Sequence, residues 1–128
     1  MSEKFTIEII SPDRSIVKME TSEVVIPSFE GEMGILKDHI PLITFLRPGL
    51  INIKAGSEQK FFVEEGTVEF SNNNLLILTS SAVEVTKMGK KFIDSLISES
   101  EKKLDDNEIS DKERYLISYK LETLRNIN

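Results

Sequence analysis

The chain has 128 residues, 39% of them hydrophobic, which suits one ordinary domain or a small domain with an appendage and suffices for a real core. Zero cysteines exclude disulfide staples, thiolate nucleophiles and cysteine zinc clusters; they suit a reducing cytosol and leave redox chemistry without its usual side chain. A formal net charge of −6 argues against a general affinity for nucleic acid or anionic lipid, because both need clustered Lys and Arg to displace counterions.

The opening MSEKFTIEII lacks the basic lead and long apolar stretch of a secretory signal, and no apolar run approaches the ~20 residues that span a bilayer. A soluble protein that is not exported is expected. From Phe5 onward the pattern is that of short strands: FTIEII alternates, SIVKME follows a turn at Pro12-Asp13, and EVVIPSF, LINIKA, KFFVEE, TVEF and LLILTS come at close spacing. Such a run of short strands over about 80 residues predicts a sandwich or barrel. Leu46-Arg47-Pro48-Gly49-Leu50 fits a turn with Pro at i+1 and Gly at i+2 between two strands, leaving Arg47 to face solvent or pair with a carboxylate of a partner. Gly66 follows Glu64-Glu65 where a bulge or turn needs glycine, and Ser71-Asn72-Asn73-Asn74 can supply the positive-φ residues of a tight hairpin.

After Thr86 the period changes. Phe92, Ile93, Leu96, Ile97, Ser100 and Leu104 lie on one helical stripe that Asp105-Asp106-Asn107 ends. Ser110-Asp111-Lys112-Glu113 then forms a capping box ahead of Ile117, Leu121 and Leu124, which marks a second helix. The short connection predicts an antiparallel hairpin, docked on the strands or bound to a partner because helices of this length are marginal alone. Charge divides at the same place: Met1 to Thr86 holds 13 acidic and 7 basic residues, whereas Lys87 to Asn128 holds 9 of each. Two modules are expected, residues 1–86 and 87–128.

Candidate chemistry centres on Gly31 to Ile51, which contains His39, the one histidine, with Glu30, Glu32 and Asp38 near it. One histidine among scattered carboxylates seldom meets the three or four ligands of a zinc site, and no nucleophile elbow accompanies it for general-base work. A histidine hydrogen-bonded in a turn is the simpler reading. No GxxxxGK[ST] or GxGxxG occurs, and Gly31-Glu32-Met33-Gly34 carries a carboxylate that repels phosphate, so phosphate cradling is not expected. Lys87, Lys90 and Lys91 read as a solvated face rather than a basic binding patch. No Trp is present and both tyrosines, Tyr115 and Tyr119, lie in the helical region, which weakens the alternative of a free-standing β-sandwich module for a small ligand or glycan. An enzyme centred on His39 lacks a partner for it.

Taken in order, EGEMGILKDHIPLITFLRPGLINI, VEEGTVEF, NNLLILTSSAVEV and two short helices resemble the epsilon-subunit family of bacterial F-type ATP synthases, equivalent to the mitochondrial delta subunit. The most specific part is Gly31-Glu32-Met33-Gly34-Ile35-Leu36, then His39-x-Pro41-Leu42, then Pro48-Gly49, and the match covers nearly the whole chain. The resemblance implies a mainly β fold, an N-terminal β-sandwich of about ten strands followed by a C-terminal two-helix hairpin. It implies a non-catalytic rotor subunit of the central stalk, without catalytic, metal or cofactor residues, that joins the gamma shaft to the polar loops of the c-ring. Its place is then the cytoplasmic face of the bacterial inner membrane, peripheral and held only through the complex. In the family the loop with the acidic residue of GEMG and the histidine of the HxPL motif lie near the c-ring; carried over, these are Glu32 and His39, with Glu30 and Asp38 as weaker candidates that add to an acidic field against basic c-ring loops. The hairpin, when extended, is implied to reach the alpha/beta head and restrain hydrolysis. Two departures stand out: Lys37-Asp38 occupies a place that is Pro-Gly in many relatives, and Ile93-Asp94-Ser95-Leu96-Ile97-Ser98 lacks the Arg-Ala of the ATP-sensing motif found in some, so no physiological ATP binding is expected.

Overall fold

In the computed structural model, which describes residues 3–127, ten strands precede two helices. The strands are β1 (Phe5–Ile10), β2 (Ser15–Thr21), β3 (Glu23–Ser28), β4 (Gly31–Leu36), β5 (Leu42–Leu46), β6 (Gly49–Ala55), β7 (Ser57–Val63), β8 (Gly66–Ser71), β9 (Asn74–Leu78) and β10 (Val83–Glu84). They form one continuous curled sheet in the order β10-β7-β6-β3-β5-β8-β9-β1-β2, with β4 on the other edge of β3. All pairings are antiparallel except β1 with β9. The expected mainly β architecture with a helical pair behind it is what the chain adopts.

The curl turns at β3. Its Glu23–Val25 segment pairs with β6, whereas only Ser28 pairs with β5, at Leu46, so the sheet divides into two layers that share this strand. Alternating residues then fill the space between the layers: Phe5, Ile7 and Ile9 from one side meet Val24, Ile26, Ile51 and Ile53 from the other, with Phe61, Phe70, Leu75 and Ile77 in the same cluster. The layers are tied again where Thr21 Oγ1 donates toward Lys54 O (3.0 Å) and Ser22 N donates to the same carbonyl (3.4 Å).

Two glycines act otherwise than their spacing suggests. Arg47-Pro48 is not a reverse turn between paired strands, since β5 and β6 do not pair but follow one another along β3, joined by a bulge at which the chain changes layer. Arg47 N donates to Pro27 O (2.9 Å) there, and the N–H that Pro27 lacks faces this break in the ladder, where a proline is tolerated. Gly49 is required by proximity: a Cβ on it lies 2.6 Å from Pro27 Cβ. At Gly66 the cause is likewise close approach, with a Cβ 2.7 Å from Leu78 O. The Asn72-Asn73 hairpin turn does use positive φ, 50° and 58°, as its composition demands.

Helices α1 (Lys90–Leu104) and α2 (Asp111–Arg125) follow a 3-10 turn at Val85–Lys87. Helix α1 ends where Asp105-Asp106-Asn107 begins, and Arg114 Nη1 donates to the freed Leu104 carbonyl (3.0 Å). The Ser110/Glu113 capping box opens α2 with both reciprocal bonds made. The hairpin lies on the outer face of the β6–β7 layer, where Ile93 and Leu124 join Phe62 and Met88 in a second cluster flanked by Leu50, Val83, Leu96 and Ile97. Phe92, placed on the apolar stripe by its spacing, is 46% exposed instead; it is adjacent to Ile93, whose burial turns it outward by about 100°.

Gly49→Ala is expected to lower stability by about 1–3 kcal/mol through overpacking against the Pro27 ring. A urea unfolding curve with a lower midpoint and unchanged slope is the expected record; an unchanged midpoint contradicts the close-approach account.

Candidate functional site

The residues marked by the sequence do not converge on a pocket. Gly31-Glu32-Met33-Gly34 is strand β4 rather than a loop, because Met33 and Ile35 face the core while Glu32, Gly34 and Leu36 point outward opposite Pro27, Val25 and Glu23 of β3. Among the described residues only β3 pairs with β4, which leaves its far edge without a strand partner there. Glu30 and Glu32 flank the β3–β4 turn, where Gly31 takes φ 127° and the Ser28 hydroxyl donates to Gly31 O (2.7 Å) and accepts from Glu30 N (3.3 Å). Asp38 and His39 lie beyond the other end of the strand. From Glu32 to Leu36 alone the strand advances about 13 Å, at ~3.3 Å per residue. The four candidates thus fall into two separate pairs, one at each end of β4, with both glutamates exposed.

The Asp38-His39 end is held by side chains. Asp38 takes φ 64°, a conformation natural to glycine and tolerated by Asp and Asn. Its N–H donates to Asn73 Oδ1 (2.7 Å) and its Oδ1 accepts from Asn73 Nδ2 (2.9 Å), while Asn73 O receives Thr6 N (3.1 Å). This reciprocal pair ties the β4–β5 loop to the β8–β9 turn and to the start of β1. His39 N donates to Leu36 O (3.1 Å), its Nδ1 sits 2.7 Å from Ile40 O and so donates there, and its ring meets Phe70 edge-on at 5.9 Å. It is a turn histidine, half-buried. Among the described residues no three His, Asp or Glu side chains converge as metal ligands, and no helix is long and apolar enough to cross a membrane.

Arg47 neither faces solvent nor waits for a partner's carboxylate. Its guanidinium lies 3.8 Å over the Tyr119 ring and Nη1 donates to the Tyr115 hydroxyl (3.3 Å), which docks α2 against the β5–β6 bulge. Glu32 and Arg47 line the same open cleft of about 400 Å³ beneath α2, together with Tyr119 and Glu122. Lys87, Lys90 and Lys91 are exposed, in keeping with a solvated face.

A second surface escaped the sequence reading. Ile43 (75% exposed) and Phe45 (58%) point outward from β5, and Phe45 shares a cross-strand row with Thr67, Leu78 (45%) and Ile10. Leu36 and Ile40 are exposed as well, at the end of β4 and in the loop after it. The LITFL strand shows why periodicity could not find this face: both of its sides are apolar, and alternation tells inward from outward only when one side is polar.

Three comparisons bear on this architecture. A family model described as "ATP synthase, Delta/Epsilon chain, beta-sandwich domain" matches residues 4–85. Over the full length of both proteins the chain is 46% identical to an ATP synthase epsilon chain of Pelagibacter ubique. It is 33% identical to the ATP synthase epsilon chain of Allorhizobium ampelinum, over 84% of this chain and 82% of that one. Among solved structures it is similar in fold to a chain of the Euglena gracilis mitochondrial ATP synthase, determined as an OSCP/F1/c-ring assembly, with TM-score 0.76 and 19% identity over 98% of this chain and 79% of that one.

Asn73→Gly keeps the positive φ but removes the reciprocal bonds to Asp38. The expected result is faster amide exchange at Asp38 and His39, an unchanged strand core, and a stability loss of about 1 kcal/mol for partly solvated bonds. Unaltered protection of the 37–40 loop contradicts the clamp.

Proposed function

Because the chain belongs to the ATP synthase delta/epsilon chain family, we propose that it is a non-catalytic subunit of the central stalk that joins the gamma shaft to the c-ring of a proton-translocating F-type enzyme. The observation that carries this reading is the asymmetry of the sandwich. One outer face is covered by the chain's own hairpin, while the other bares Ile43, Phe45 and Leu78 beside the β4 edge. Ile43, Phe45 and Leu78, spaced by Thr67 and Glu69, give that face several exposed large apolar side chains, which suits a protein partner better than a small-molecule site. We assign this face to the gamma shaft.

The β4 edge, with Glu30 and Glu32 at one end and Asp38 and His39 at the other, is the proposed seat on the c-ring. Acidic groups at both ends suit a ring of repeated polar loops, since successive copies can be met along the strand, and the acidic excess of residues 1–86 favours basic partners. Torque is then carried by shared interface contacts rather than by bond chemistry. The protein is held at the cytoplasmic face of the bacterial inner membrane through the complex. Residues 1–86 and 87–128 act as two modules, and the hairpin, docked here, swings out along the shaft toward the alpha/beta head to restrain hydrolysis. A seam of a few apolar side chains is compatible with two states separated by a few kcal/mol.

Co-purification of the tagged chain with a rotary ATPase head is the primary test, and its failure removes the assignment. Glu32→Lys is expected to weaken retention of the head on washed membranes by about tenfold or more, as for reversal of an interfacial charge; retention equal to wild type counts against the β4 edge. Removal of residues 87–128 is expected to raise ATP hydrolysis several-fold in a complex that still assembles, and unchanged hydrolysis in that complex sinks the restraint.

A further inference from the structure

We infer that Arg47 and Tyr119 form a clasp that orients the helical hairpin on the sandwich through α2, over the apolar contact that both helices share, and that opening this clasp is the first step in freeing the hairpin. The inference rests on the reading of the hairpin as a movable module. The Arg47 guanidinium covers the Tyr119 ring at 3.8 Å, and Tyr119 meets Tyr115 edge-on at 4.8 Å. Tyr115 stacks on Phe29 with centroids 6.3 Å apart and planes 11° from parallel; its hydroxyl accepts from Arg47 and donates to Phe29 O, each at 3.3 Å. Next to Tyr119 on α2, Lys120 Nζ lies 2.7 Å from Glu64 Oε1. Among the described residues each directional contact between hairpin and sandwich is therefore made by α2.

Helix α1 is attached differently. Among the described residues no hydrogen bond or ion pair links it to the sandwich; its polar ties run to the α2 side of the hairpin, through Arg125 to Glu101 and Arg114 to Leu104 O. It starts at Gly89 without a capping side chain and carries Lys90 and Lys91 in its first turn, where the helix dipole disfavours cations. Ile93, Leu96 and Ile97 give it apolar contact but no fixed orientation. So α2 is the anchor and α1 travels with it.

The chemistry of the clasp suits release. Glu32 and Glu122 line the same cleft as Arg47, yet no carboxylate lies within 4.0 Å of its guanidinium among the described residues. Its charge is met by an aromatic face and a phenol, an arrangement that changes an opening equilibrium by about two- to fivefold at a partly exposed site rather than by orders of magnitude. Such a clasp orients the hairpin without locking it.

The test is amide hydrogen exchange on the isolated full-length chain, so that its result stands apart from whether the hairpin restrains hydrolysis in a complex. Arg47→Ala and Tyr119→Leu are each expected to speed exchange in α2 about two- to fivefold, with the double variant no faster than either, and with β1, β6 and β9 unchanged. Tyr119→Phe keeps the ring and is expected to exchange as wild type. Unchanged α2 exchange in either single variant, additive effects, an equal rise in the strands, or a Tyr119→Phe profile like that of Tyr119→Leu overturns the clasp.

Discussion

Burial of Phe62 is the constraint around which the molecule is arranged. Strand β7 places Phe61 in the core between the layers and Phe62 on the opposite side, where an antiparallel sheet ordinarily meets water. With Leu50 from β6 and Val83 from β10 beside it, Phe62 forms an apolar area on an outer face that is otherwise polar, through Asn52, Lys54, Glu58 and Lys60. The hairpin covers it together with Met88, and Phe62 ends 2% exposed. Covering Phe62, Ile93 and Leu124 is worth about 1.5–3 kcal/mol for each side chain. That outweighs a cation–π contact at about 0.5–1 kcal/mol and an ion pair at about 0–1 kcal/mol. Apolar burial holds the helices down, and the polar groups of α2 set their orientation. Two 15-residue helices have little stability of their own, so the same contact also keeps them helical.

The two outer faces divide the work of the domain. One is covered by the hairpin; the other keeps Ile43, Phe45 and Leu78 bare, at a cost in solubility. A subunit read as a coupler needs a surface of this kind more than it needs a pocket. On the edge strand β4, Glu32 lies close enough to the α2 seam to share a cleft with Arg47. The β4 strand and the hairpin seam are thus neighbours on the fold, meeting at the cleft that Glu32 and Arg47 line.

Turn chemistry shows how different residues reach one backbone shape. Where many relatives of the resembled family have Pro-Gly, this chain has Lys37-Asp38, and Asp38 still adopts the left-handed conformation at φ 64°. The strain of a side chain there is offset by two bonds to Asn73, itself at φ 58° in the facing hairpin turn. The loop that carries His39 is therefore held by a contact between turns 35 residues apart rather than by local rigidity.

Local patterns determined much of this protein on their own. Alternation in FTIEII, the asparagines of the β8–β9 turn, the Ser110/Glu113 capping box and the change of period after Thr86 each act within a few residues, and each appears where its chemistry requires. The order of GEMG, HxPL and Pro-Gly was sufficient to mark the family. Tertiary structure alone decided the rest. Whether β5 turns its apolar side chains inward or outward, whether Gly49 answers to φ or to Pro27, and whether Arg47 meets water or Tyr119 depend on partners distant in the chain. Spacing encodes which residues share a face, but what lies against that face is set by packing of the whole chain.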